Sequence, residues 1–162
     1  MTFLLCAGAM LLAGCGSAQQ TAQVTWPVGF ITRQQLNEAP FGSYQARYDT
    51  ARVQEDLTEF ISRVRDGAEA LVFFGGWCSD SRREVPHFLK IADSAGFPAG
   101  SIRLYSLDRT KKSPDGIAEQ FGIVLVPTII FLREGGEIGR IVESPRTTME
   151  QDMLEILAPR RD

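Results

Sequence analysis

Cys78 lies in Phe73-Phe74-Gly75-Gly76-Trp77-Cys78-Ser79-Asp80-Ser81, where an apolar run ends in two glycines, a tryptophan and a thiol. A helical pattern begins directly after it. A cysteine at a helix start faces backbone N–H groups without intrahelical partners and the positive end of the helix dipole, and both favour thiolate over thiol. A thiolate attacks disulfides, mixed disulfides and sulfenic acids. The competing reading is an inert buried cysteine. Ser81 stands about one helical turn on, so its hydroxyl is placed to donate to the sulfur. Ser79 and Asp80 carry two readings. They either cap the helix or modulate the thiol, since a carboxylate suits the first turn but opposes ionisation if it turns toward sulfur.

Other chemistry-bearing residues are sparse. His87 is the single histidine, and with no second histidine and no spare cysteine a metal site is not expected. It reads as an exposed helix residue. Arg109, Lys111 and Lys112 lie in a loop that either steers an acidic partner or a glutathione-like thiol, or is simply solvated.

The elements around Cys78 follow from the spacing of apolar residues. Val53, Leu57, Phe60, Ile61 and Val64 recur at helical intervals, with Gly67 as a C-terminal stop. Ala70 to Phe74 is a continuous apolar run, expected of a strand buried on both faces. The helix that starts at Ser79 or Asp80 carries Val85, Phe88, Leu89, Ile91 and Ala92, and Pro86 inside it should bend it. Ser101 to Leu107 reads as the next strand, and Ile117 to Phe121 as a short helix. In Ile123 to Leu132 a proline interrupts the apolar run, and Pro127 fits as the first residue of a strand. Glu134-Gly135-Gly136-Glu137 is a hairpin turn into a strand from Ile138 to Val142, and Thr147 to Leu157 is a last amphipathic helix. Crossover helices imply parallel strands and the tight turn an antiparallel pair, giving a mixed sheet flanked by helices.

Three spaced features in that order of elements resemble the thioredoxin family: Trp77-Cys78-x-x-Ser81, Pro86 eight residues after Cys78, and Val126-Pro127-Thr128. The resemblance implies an α/β thioredoxin fold over residues 53–158, with a central mixed β-sheet between α-helices. It also implies Cys78 as the attacking thiol, a cis Pro127, and a substrate groove walled by Trp77, Val126 and Pro127. The departures agree with one another. Ser81 replaces the second cysteine, so a dithiol cannot resolve its own mixed disulfide here. Val72 replaces the buried aspartate of dithiol thioredoxins, and Leu104 stands near their lysine. The loop resembles that of single-cysteine, thioredoxin-like bacterial lipoproteins with Trp-Cys-x-Asp-Ser.

The N-terminus reads as a processing signal. Phe3 to Leu12 is apolar, of signal-peptide length and too short to span a bilayer comfortably. Leu12-Ala13-Gly14-Cys15 resembles the lipobox, although no Lys or Arg precedes the apolar run. Residues 1–14 are thus expected to be a signal peptide, with lipid on Cys15 and a small, polar tether over 15–24. Residues 25–52 read as an N-terminal extension without an assigned role. Once Cys6 is removed and Cys15 acylated, Cys78 is the remaining thiol, and no intramolecular disulfide forms.

The 162 residues are 44% hydrophobic and carry a net charge of −3, which suits one compact domain and argues against a nucleic-acid partner. No metal or other cofactor is implied. The expected function is a membrane-tethered oxidoreductase, on the extracytoplasmic face, that exchanges protein or small-molecule thiols and disulfides through one cysteine. The alternative is a redox-inactive thioredoxin-fold module that binds peptides or proteins, and a weaker third is a structural spacer.

Overall fold

The computed structural model describes residues 24–159. In chain order the elements are β1 (Gly29–Ile31), a 3-10 turn (Gln35–Asn37), α1 (Ser43–Thr50), α2 (Glu55–Val64), β2 (Ala68–Phe74), α3 (Ser79–Ser94), β3 (Ile102–Ser106), α4 (Ile117–Gln120), β4 (Thr128–Arg133), β5 (Gly136–Val142) and α5 (Met149–Leu157). The strands form one sheet in the order β1-β3-β2-β4-β5. Only β2 and β3 run parallel; the other neighbours are antiparallel. This is the expected mixed sheet flanked by helices.

The continuous apolar run places β2 at the centre. Ala70, Val72 and Phe74 join the larger core on one face, and Leu71 and Phe73 the smaller core on the other. All five are fully buried. That alternation is the two-residue period of a strand with no solvent face. The larger core is closed by residues from α1, α2, α3 and α5, whereas the smaller one is closed by α4 and the loop that leads to β4. Pro86 lies inside α3, as expected, and is buried there.

Several local expectations shift. Residues 25–52 are built into the fold: β1 pairs with β3, and Leu36, Phe41 and Tyr44 enter the larger core. Short strands and turns of this kind have too little periodicity to announce themselves in sequence. Phe60 shares the helical spacing of α2 but stays half exposed, with the Arg63 guanidinium over its ring. The β4–β5 turn places Glu134 and Gly135 in the left-handed region (φ 52° and 78°), as a two-residue hairpin requires. β5 accordingly begins at Gly136, two residues before the expected Ile138. No helix among the described residues is long and apolar enough to cross a membrane. Cys15 and the expected signal segment lie outside the described residues.

Candidate active site

The turn from β2 to α3 is built by close approach. A side chain on Gly75 would meet the Trp77 ring at 2.7 Å, and one on Gly76 would meet the Trp26 ring at 1.9 Å. A Cβ at either position would therefore force an indole to shift. The Cys78 N–H donates to the Gly75 carbonyl at 2.9 Å and closes the turn. Trp77 is pinned by its indole N–H, which donates to the Leu107 carbonyl at 2.9 Å.

Cys78 is the N-cap residue of α3, with extended backbone, and no side chain caps this helix. The first-turn N–H groups thus have no side-chain acceptor. The thiol is part-buried and donates to the Val126 carbonyl at 3.3 Å. The Val126–Pro127 peptide bond is cis, as the resemblance implied. Val126 and Pro127 are buried, but Val124 and Leu125 just before them are exposed. The Thr128 hydroxyl donates to the Leu125 carbonyl at 2.7 Å and holds that loop against β4. Cys78, Trp77, Val126 and Pro127, named from distant parts of the sequence, thus meet at one end of the sheet.

Ser81 is placed differently from its expected role. It is fully buried, and its hydroxyl oxygen accepts the Gly75 N–H at 3.1 Å. Among the described residues no hydrogen bond joins Ser81 to the Cys78 sulfur. The buried Gly75 amide needs an acceptor, and a lone pair of the Ser81 oxygen supplies it, so Ser81 is tied to the turn that carries the thiol. Asp80 turns along the helix to Arg83, with 2.9 Å between them, rather than to sulfur or to a cap. Ser79 is exposed and makes no capping bond.

Tyr44 is a site residue that sequence reasoning missed. Its hydroxyl donates to the Gly75 carbonyl at 3.4 Å, from a ring that is almost wholly buried. Burial drives its ionisation far above the usual tyrosine range; the nearby Cys78 charge adds to this, and Arg82 opposes it. Tyr44 is therefore a neutral donor at physiological pH. Trp26 is the other omission. It packs on Phe41, with 5.3 Å between ring centroids, and covers Gly76. Both come from the stretch without helical or strand periodicity, and their aromatic type was the one available signal.

The positions of the missing dithiol machinery are also adjacent. Val72 and Leu104 are paired in the β2–β3 register and both are buried. An apolar pair thus fills these two positions. His87 has its Nε2 at 3.1 Å from the Arg52 carbonyl oxygen and 3.7 Å from the buried Glu150 carboxylate, away from Cys78. Among the described residues no group of three His, Cys, Asp or Glu side chains is arranged to hold a metal ion. Arg109 stacks over Trp77, with 4.8 Å from its Cζ to the ring centroid, while Lys111 and Lys112 lie further along the same loop.

A thiol at the head of a helix, opposite a cis-proline loop at the end of a mixed sheet, defines a thiol-disulfide type of site. A thioredoxin family model matches residues 31–155, and the chain belongs to the thioredoxin family. Mitochondrial thioredoxin-3 of Saccharomyces cerevisiae is 25% identical over 114 residues, which is 70% of this chain and 85% of that protein. Thioredoxin of Malassezia sympodialis is 32% identical over 85 residues, 51% of this chain and 76% of its own. Among solved structures, a Pseudomonas aeruginosa protein of unknown function superposes with a TM-score of 0.52 at 17% identity, over 72% of this chain and 80% of that one. At that identity the likeness bears on the fold alone.

Proposed function

We propose that this protein is a thiol oxidoreductase that works through Cys78 alone and is tethered to the extracytoplasmic face of a bacterial membrane by lipid on Cys15. The observation that carries the redox part is the Cys78 sulfur at the uncapped start of α3, 3.3 Å from the carbonyl of the cis-proline loop. An incoming disulfide lies between Trp77 and the Val126–Pro127 loop, with the exposed Val124 and Leu125 extending the apolar wall. The thiolate bonds to one sulfur of the disulfide, and the other leaves with the electron pair of the broken bond and takes a proton from solvent. With serine at 81, release of the resulting mixed disulfide needs an external thiol. The substrates are protein or small-molecule thiols and disulfides. Support for the tether is the Leu12-Ala13-Gly14-Cys15 sequence after its apolar run.

Trapping from cells tests the redox part. Under non-reducing conditions the wild type should yield disulfide-linked adducts that reductant releases and that disappear in Cys78→Ser. If Cys78→Ser instead keeps the same partners, the protein is a binding module and the thiol chemistry is refuted. For the tether, Cys15→Ser should move the protein from the membrane to the soluble fraction; unchanged membrane association would refute lipidation.

A further inference from the structure

Trp77 borders a second cavity beside the substrate groove. It is a cleft of about 530 Å³ between the start of the described chain and the loop after β3, lined by Trp26, Val28, Trp77, Asp108 and Arg109. Its walls are built. Trp26 fills the space above Gly76, and Trp77 is fixed by its bond to the Leu107 carbonyl. Stacking of Arg109 on the Trp77 face orients the guanidinium plane, and the exposed N–H edge of a stacked arginine suits a planar anion.

The charges in the cleft differ in how far they are already used. Asp108 accepts from the Thr110 backbone N–H at 2.8 Å and from the Thr110 hydroxyl at 2.6 Å. Arg109 forms no ion pair with any carboxylate among the described residues. The ion pairs found among the described residues engage other arginines, or His87. The cleft thus offers an unpaired cation held over the Trp77 indole, and Trp77 is next in the chain to Cys78.

We infer that this cleft is a subsite for an acidic group carried beside the disulfide that Cys78 attacks, such as an Asp or Glu side chain of a protein substrate. The inference rests on the thiol chemistry proposed above. Arg109 receives the carboxylate beside the Trp77 face, and Asp108 limits the net attraction. Arg109 is a specificity-determining residue in this scheme and takes no part in sulfur chemistry. The exchange remains balanced within the two reactants: one S–S bond forms as another breaks, and the leaving sulfur departs as a thiolate.

Two chromogenic disulfides test the subsite: dithiobis(nitrobenzoate), a dianion, and dithiodipyridine, which is uncharged. Both are reacted with the full chain carrying Cys6→Ser and Cys15→Ser, so that Cys78 supplies the signal. The readout is the ratio of the anionic to the neutral second-order rate constant. Arg109→Ala should lower that ratio about threefold to fivefold, the effect of one part-exposed ion pair. Asp108→Asn, which keeps the acceptor for Thr110, should raise it. Lys112→Ala, on the same loop but outside the cleft, should leave it unchanged. If Arg109→Ala does not change the ratio, or Lys112→Ala lowers it equally, the subsite is refuted while the thiol chemistry stands. A wild type that reacts with neither probe refutes the thiol chemistry and the subsite with it.

Discussion

Ser81→Ala separates the two roles open to the residue in place of the second cysteine. In the fold, the Ser81 hydroxyl oxygen is the acceptor for the buried Gly75 N–H at 3.1 Å. Alanine removes that acceptor, and the space left by one oxygen is too small to admit a water in its place. An unsatisfied buried amide costs about 1–3 kcal/mol, against a total stability of roughly 5–15 kcal/mol for a domain. Taking about 2 kcal/mol, a chain of this size should lose roughly 4–8 °C in Tm. Urea unfolding, read as a lower midpoint with an unchanged slope, measures the loss directly. Alkylation of Cys78 in the folded protein gives the second readout, and its rate should change little, because the sulfur is bonded to the Val126 carbonyl and, among the described residues, not to the Ser81 hydroxyl. An unchanged midpoint together with a collapse in alkylation rate would refute this reasoning and return Ser81 to a direct role at the thiol.

Gly76→Ala would place a methyl group 1.9 Å from the Trp26 ring, so the indole must move off Phe41. The expected cost of that overpacking is about 1–3 kcal/mol, with a changed tryptophan emission; an unaltered spectrum would show that Trp26 does not cover the turn. Asp152 governs part of the acid response. It is buried near the start of α5, which opposes its charge, but the Arg146 N–H, the Thr147 hydroxyl and N–H and the Arg146 charge together outweigh burial and hold the carboxyl below its usual range. A group depressed on folding stabilises above its unfolded pKa, and that contribution disappears as pH falls through the folded value. The urea midpoint of the wild type should therefore fall more steeply below about pH 4 than that of Asp152→Asn, and parallel curves would contradict the assignment.

What the sequence determined by itself is the part of the protein carried by local pattern. A short apolar run rich in Val and Phe suits a strand buried on both faces, and Ala70 to Phe74 is the heart of the central strand. Helical spacing after a glycine pair placed Cys78 at a helix start, and the proline that breaks an apolar run marked the loop opposite it. These are short-range constraints of backbone and solvent, and they survive folding unchanged. Tertiary structure decided everything that depends on which groups compete for the same partner. Sequence spacing put Ser81 near the sulfur as a donor, whereas in the fold its oxygen serves as acceptor for the buried Gly75 amide. Asp80 is one residue from the helix start, yet the Arg83 guanidinium turns it aside. Tyr44 and Trp26 come from a stretch without periodicity and reach the active-site turn only because β1 and α1 pack onto a sheet and helix far along the chain. Long-range packing leaves no trace in local pattern, and so the second wall of the site became visible only in the folded molecule.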